Sequence, residues 1–281
     1  MEEIKNEVAV MFSGGIDSLL TAVLLQEKFD KVHLITFDKG YLEFGLENNK
    51  SNIERLKKIY GDEKYINKII DIKKILKNVS IKTILKDYKY YGIEVVWCVA
   101  CRLSMNTGAL IYALENNLSG IADGSSREQV PGEEQLVGTA ENFPKVVNRL
   151  KEFVSQYYVD FLTPVYEFGT REERRKKLRK LGFEIDYLSL DRGKGIKGMM
   201  TKDVFFRTQP MCFSGWLIHW KRNLFGIPVK QDEDKTLEYV AKKQESVIKN
   251  LIKEYFKQKN VDIENLIQKR KNLKELPKST F

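Results

Sequence analysis

Cysteine is scarce in this chain: three in 281 residues. No uninterrupted apolar run approaches the roughly 20 residues of a membrane span. The opening Met1-Glu-Glu-Ile-Lys5 lacks the apolar core of a secretory leader. These absences lead us to expect a cytoplasmic protein with no membrane contact. In that setting an odd number of cysteines argues against a disulfide framework. No internal repeat is present. The single glycine-rich turn near the N-terminus is not followed by Gly-Lys-Ser/Thr, which excludes a Walker-type phosphate loop.

What is present is enough for a packed core. Hydrophobic residues make up 42% of the chain, which excludes wholesale disorder. The length suits one large α/β domain, or one domain plus an extension. The formal net charge of +9 allows a polyanionic partner such as tRNA, and it equally fits a lysine-rich chain with solvated helix faces.

Strand-like runs alternate with helical periodicity, the signature of βαβ units and a parallel sheet. Strands are expected over Val8 to Phe12, Lys31 to Phe37, Tyr65 to Asp71, Leu118 to Ala122 and Phe161 to Val165. Helices are expected from Asp17 or Ser18 to Lys28, over Asn48 to Tyr60, from the third strand to Asp87, and over Cys98 to Asn116. Further helices are read over Lys145 to Tyr158, Thr170 to Leu181 and Asp232 to Phe256. The tail from Lys269 to Phe281 reads as basic and loose. The expected architecture is a doubly wound α/β parallel sheet over residues 1–190. Residues 191–281 form a C-terminal region with the third cysteine and an α-helical extension. The long helix from Asp232 has an apolar stripe that packs on its own domain or joins a partner subunit in a homodimer.

The most informative segment is Val8-Ala-Val-Met-Phe-Ser-Gly-Gly-Ile-Asp-Ser-Leu-Leu20. A strand runs into a turn with two glycines and then into an apolar helix. Such a turn lets backbone approach an anion, and the free N–H groups of the helix start point at it. Ser13-Gly14-Gly15-Ile16-Asp17-Ser18 resembles the PP-loop of the N-type ATP pyrophosphatases, with their adenine-nucleotide alpha-hydrolase-like (HUP) fold. These enzymes adenylate a substrate oxygen and release pyrophosphate. The resemblance implies that Ser13, Gly14, Gly15 and Ser18 hold the phosphates. Asp17 orders the loop or helps to hold Mg²⁺. Phe37 and Asp38, after the second strand, lie by adenine and ribose, and Asp123-Gly124-Ser125-Ser126 closes over ATP. Read without the resemblance, Asp17 is a first-turn helix acid, and Asp38 and Asp123 are turn residues at strand ends.

Cys98-Val-Ala-Cys101 opens a helix, and Cys212 lies far along the chain in Gln209-Pro-Met-Cys-Phe-Ser214. Two thiols at this spacing can face one metal. Three are one short of a four-cysteine iron–sulfur site. The pattern resembles the PP-loop sulfur transferases acting on tRNA, as does Leu162-Thr-Pro-Val-Tyr-Glu-Phe-Gly-Thr-Arg-Glu-Glu-Arg174. That resemblance implies a [4Fe-4S] cluster on Cys98, Cys101 and Cys212, with one iron open. Sulfur delivered there, next to Cys212, replaces the oxygen that ATP has adenylated. Other readings stand beside it: zinc held by the three cysteines and His219, a Cys98–Cys101 redox pair with a persulfide on Cys212, or buried thiols. The acceptor is also open. Asp123-Gly-Ser-Ser126 is similar to the Asp-Gly-Thr-Asn segment of sulfur transferases that build the nickel-pincer cofactor, so tRNA and a small carboxylate are both admissible. The sulfur donor is not identified. An amide-forming adenylating ligase and a non-catalytic nucleotide- or RNA-binding module are the functional alternatives.

The helix carrying Arg171, Arg174, Arg175, Lys176, Lys177, Arg179 and Lys180 reads as a solvated face, with Leu178 and Leu181 buried. The loop from Arg192 to Lys197 is a candidate anion site, and Arg207 a candidate contact to an acidic substrate. Trp97, Trp216 and Trp220 read as core.

Overall fold

The computed structural model describes residues 3–41, 43–130, 139–183, 211–218 and 231–275. The loop from Arg192 to Lys197, Arg207, His219 and Trp220 lie outside the described residues.

Strand β1 (Lys5–Met11) alternates its side chains between two cores, as the two-residue period of a strand requires. Val8 and Val10, with Phe12 just beyond the strand, enter one core with helix α1 (Ile16–Leu25), α2 (Lys50–Tyr60) and α7 (Arg171–Lys180). Ala9 faces the other. The remaining strands of the main sheet are β2 (Lys31–Asp38), β4 (Tyr65–Asp71), β5 (Leu118–Ala122) and β6 (Asp160–Leu162). They run in the order β4-β2-β1-β5-β6, every pairing parallel. The chain order reverses between β1 and β5. Ligands of open α/β sheets bind outside the carboxyl ends of the strands at such a switch point. The expected doubly wound parallel sheet is therefore the observed fold.

Helices α3 (Lys73–Val79), α4 (Ile84–Tyr91), α5 (Ala100–Glu115) and α6 (Pro144–Ser155) complete this part. The single helix expected up to Asp87 is two, because Ser80 leaves the helical path and donates its hydroxyl to the carbonyl of Val96. A π-helical turn, Val95–Val99, carries Cys98 into α5. Val95–Glu115 is long and apolar enough to cross a membrane, which the sequence reading did not register. Of its most apolar window 78% is buried in the fold. The short strand β3 (Glu43–Phe44) pairs antiparallel with β7 (Met211–Cys212), a two-residue ladder that no sequence pattern announced. Helix α8 (Phe213–Ile218) follows β7.

The C-terminal helices are α9 (Glu233–Lys243), α10 (Lys249–Gln258) and α11 (Ile263–Glu275), with a π-helical turn Gln244–Ile248 joining the first two. Tyr239, Val240, Ile248, Ile252 and Phe256 lie in the same core as α5 and α6, so this stripe packs on its own chain. Burying each such side chain contributes roughly 1.5–3 kcal/mol. The tail expected to be loose from Lys269 is helical as far as Glu275. Arg270, 1% exposed, donates to Asn117 Oδ1 (2.9 Å) and to the carbonyls of Leu118 (2.6 Å) and Tyr158 (3.1 Å). Its charge suggested solvent, but two backbone carbonyls and a side-chain amide oxygen gave it partners.

Candidate functional site: a phosphate loop tied to a thiol helix

The turn after β1 has the backbone of an anion cradle. Gly14 adopts φ 76°, a left-handed conformation that favours glycine. Gly15 caps α1, and no side chain fills the cap, so the first N–H groups of the helix stay available to a ligand. The Ser13 and Ser18 hydroxyls lie 3.1 Å apart, Ser13 Oγ accepts from the Gly15 N–H (3.3 Å), and Ser18 Oγ donates to the Gly15 carbonyl (3.1 Å). Asn52 of α2 donates to the Gly14 carbonyl (2.8 Å) and holds the turn from below.

Asp17 is braced rather than free. Its Oδ1 lies 2.7 Å from Arg174 Nε, and its Oδ2 accepts from Gln129 (3.1 Å). Arg174 is fully buried, pairs with Glu128 (2.6 Å) and donates to the Gly169 carbonyl (2.5 Å). Burial lifts the Asp17 carboxyl above its ordinary range, against the pull of Arg174 and Arg171. Arg171 Nε and Ser126 Oγ are buried polar atoms without a hydrogen-bond partner. The α7 helix is thus not a wholly solvated face. Arg174 stands four residues before the buried Leu178, on the same side of the helix, and this spacing was the available signal.

Gly124 packs directly on the loop. A Cβ there would stand 2.8 Å from the Ser18 backbone nitrogen and 3.0 Å from the Asp17 carbonyl carbon. Asp123 does not project freely into the cleft. Its carboxylate accepts from Arg102 (2.5 Å), from the Ser125 N–H (3.0 Å) and from the Ser125 hydroxyl (2.6 Å). Arg102 also donates to the Ser125 hydroxyl and the Glu141 carbonyl (2.6 Å). Phe37 is 5% exposed and packs toward Gly108. Asp38 accepts from the Gly40 N–H (2.9 Å) and pairs with Lys73. Arg102, Arg174, Gln129 and Asn52 were missed in the sequence because each acts through a partner distant in the chain.

The three cysteines gather at one place. The β3–β7 ladder sets Cys212 opposite Glu43, and Lys39 pairs with Glu43 at 2.5 Å. Cys212 Sγ lies 3.3 Å from the Ser214 hydroxyl, which accepts from the Trp97 indole (3.0 Å), one residue before Cys98. Trp97 is therefore tied into this cluster, edge-on to Tyr41. Burial pushes the Cys101 thiol up to about 11 even though Lys39 pulls it down, and burial also raises Cys98, with Glu141 and Glu94 adding to the rise. Burial opposes the Lys39 charge, but Cys101, Cys212 and Glu43 outweigh it and raise its pKa. Sulfur donors suit a [4Fe-4S] cluster or zinc, yet among the described residues no three His, Cys, Asp or Glu side chains stand as a metal-holding group. The three thiols therefore do not form a ligand shell for either group.

The profile of the family described as "Queuosine biosynthesis protein QueC" matches residues 7–188, well over half of the chain. The chain belongs to this family. It is thereby a member of the PP-loop ATP pyrophosphatase superfamily, as the Ser13–Ser18 motif implied. This QueC-family chain is also 34% identical over 95 residues to the tRNA-specific 2-thiouridylase MnmA 2 of Fusobacterium nucleatum. That match covers 34% of the chain and 26% of the relative, about a quarter of its length. Among solved structures, the U34-tRNA thiolase NcsA from Methanococcus maripaludis, with its [4Fe-4S] cluster, shares 16% identity at a TM-score of 0.40. That overlap covers 87% of this chain and 73% of NcsA. A 4-thiouridine synthetase in complex with RNA and bound ATP shares 16% identity at a TM-score of 0.48, over 90% of this chain and 53% of the synthetase.

Proposed function

We propose that this chain is an ATP-dependent sulfur transferase that modifies tRNA. The observation that carries the reading is the tie between its two halves. Arg102 follows Cys101 in the chain and grips Asp123, and the next residue, Gly124, lies on the Asp17–Ser18 backbone. A thiol helix and a phosphate loop joined this tightly act on one bound substrate. The partial similarity to a tRNA 2-thiouridylase supports the sulfur acceptor being tRNA.

In this reading ATP lies with its phosphates over the α1 N-terminus. The helix dipole and the uncapped N–H groups of Ile16 and Asp17 hold the β- and γ-phosphates, and the Ser13 and Ser18 hydroxyls complete the cradle. Arg171 Nε and Ser126 Oγ, buried without partners, are suited to phosphate and ribose oxygens. Asp17, with both oxygens engaged, positions the loop, and Mg²⁺ arrives with the nucleotide. An acceptor carbonyl oxygen attacks the α-phosphorus, the bond to the β-phosphate oxygen breaks, and pyrophosphate leaves. Hydrosulfide, supplied by a sulfide donor and presented at Cys98, Cys101 and Cys212, then adds to the activated carbon and gives its proton to solvent. AMP departs with the electron pair of the C–O bond. Holding both reactants against one rigid loop converts the second step into an intramolecular one.

The test is incubation of anaerobically prepared protein with Mg-ATP, bulk tRNA and a sulfide source. AMP, pyrophosphate and sulfur in digested nucleosides are the readouts, and iron and zinc content are measured alongside. Sulfur-containing nucleosides that vanish when the three cysteines are replaced by serine support the reading. AMP formation without sulfur incorporation removes it. A second reading keeps adenylation and admits ammonia or an amine as nucleophile. It is favoured by the extent of the family match, which ends at residue 188 and so leaves out Cys212. In that case the serine variants retain full activity.

A further inference from the structure

Helix α4 carries a surface that the nucleotide and thiol sites do not use. Leu85 is 84% exposed, Tyr88 52% and Tyr90 55%. Lys82, Lys86 and Lys89 are exposed between them. Lys86 and Lys89 stand three apart on one side of α4, and Lys82 lies in the 3-10 turn Ile81–Thr83 that leads into it, so the three lysines run as an exposed basic stripe into and along the helix. Leu85 and Tyr88 lie along one side of it, and Tyr90, four residues after Lys86, continues it. The one acidic residue of α4, Asp87, is turned inward. It is 3% exposed, lies 2.8 Å from Lys243 and 3.3 Å from Lys242, and accepts from Thr83 (2.7 Å). Among the described residues, none of the three lysines of the stripe has a carboxylate partner within ion-pair distance.

Of the exposed rings, Tyr90 is held in place. Tyr90 and Tyr91 stand edge-to-face with centroids 4.7 Å apart, and their hydroxyls donate to Glu238 at 3.3 Å and 2.8 Å. Lys235 lies over the Tyr90 ring at 5.4 Å, which adds a fourth cation beside the stripe. Glu238 is occupied by the two tyrosine hydroxyls. The helix ends at Gly92 and leads within a few residues into the π-helical turn that carries Cys98.

Cations interleaved with exposed, oriented aromatic rings match one kind of partner: a nucleic-acid strand whose phosphates are in reach and whose bases are unstacked. Lysines follow the backbone, and each ring offers a stacking platform to a base. A protein partner of ordinary surface composition would leave the three lysines uncompensated, and duplex RNA would keep its bases away from the tyrosines. We propose that the α4 face docks an unpaired segment of RNA and delivers it toward the cysteine turn. This deepens the reading of the chain as a tRNA-modifying enzyme and rests on it.

The experiment uses the full chain, with a fluorescently labelled single-stranded RNA of about a dozen nucleotides, within the usual site size of such surfaces. Anisotropy is followed against salt, with a duplex of equal length as the comparison. Replacing Lys82, Lys86 and Lys89 together by alanine should weaken binding at least about tenfold and flatten the log–log salt slope by about 2, at roughly 0.7 per lost phosphate contact. Tyr88→Ala with Tyr90→Ala should weaken it about tenfold with the slope unchanged, and the paired phenylalanine variants should restore it. Circular dichroism and ATP affinity, unchanged in each variant, certify the fold. Wild-type protein that binds and modifies RNA while the α4 variants bind equally well overturns the docking proposal and leaves the functional reading standing. Wild-type protein that binds no RNA overturns both. Equal affinity for the duplex overturns the claim of unpaired bases. A change from dimer to monomer in the variants, with RNA affinity intact, assigns the face to a second copy of this chain and also overturns the proposal.

Discussion

The phosphate loop and the thiol cluster sit at the same end of the sheet, yet they are built differently. The loop is one contiguous stretch, Ser13 to Ser18, backed by groups from three other segments: the buried Asn52 and Arg174, and the closely packed Gly124. The thiol cluster draws on two segments more than a hundred residues apart, and its third cysteine arrives on a ladder of two residues. One site is formed by local chain geometry and then locked. The other exists only because distant pieces meet. A motif that binds by backbone can be compact in sequence, because successive N–H groups already point together. Sulfur side chains must be collected from wherever the fold puts them.

The sharpest way to break this comparison is Arg174→Met. It takes the buried guanidinium away from the part-buried Asp17 carboxylate, while the exposed Glu128 is left to solvent, and losing one partner of such a pair costs about 3 kcal/mol. Urea unfolding should show that loss, and Arg174→Lys should fail to repair it, because one ammonium cannot serve Asp17, Glu128 and the Gly169 carbonyl together. Next in size is Gly124→Val. Its side chain meets the Ser18 and Asp17 backbone, so the cradle shifts by a fraction of an ångström. ATP-dependent pyrophosphate release should fall about 100-fold, with the melting temperature changed far less than in the Arg174 variant. Equal activity would show that the loop is not the nucleotide site.

Arg270→Met probes the scaffold behind both sites. It leaves the Leu118 and Tyr158 carbonyls without their donor, a loss of roughly 1–3 kcal/mol in unfolding free energy with nucleotide affinity unchanged. A smaller effect depends on pH. His33 is bonded to Glu7 and Tyr112 at 2.8 Å each, and burial holds its pKa below the ordinary 6.5 despite the pull of Glu7. The unfolded chain therefore takes up this proton first. Stability from this group is complete above the ordinary value and declines as pH falls through the lower, folded one. His33→Gln should flatten that decline in denaturant midpoints taken across the range. Smallest is Cys212→Ser, which should alter stability by no more than about 0.5 kcal/mol, since the thiol is half-buried at the end of a short ladder. A large loss there would mean that the thiol cluster holds the fold as firmly as the Arg174 brace does.

Local pattern made much of the architecture legible. Apolar runs of strand length alternating with helical spacing gave the parallel sheet, and Ser13 to Ser18 pointed to the superfamily. Charge was the misleading signal. Arg174 and Arg270 are among the largest fully buried side chains, although both lie in strongly basic sequence that reads as solvent-facing. A guanidinium is drawn inside when carboxylates or carbonyls elsewhere are left without donors, and the sequence around the arginine holds no record of that need.

By itself the sequence determined what repeats at short range: the strand and helix periods, the glycines of the turn, and the helix start that follows it. These depend on backbone geometry within a few residues. The tertiary structure alone decided which distant groups face one another: Arg174 on Asp17, Arg102 on Asp123, and Cys212 beside the Cys98 turn. Such pairings are set by how whole elements pack, and a buried charge or thiol has no meaning until its neighbours are in place.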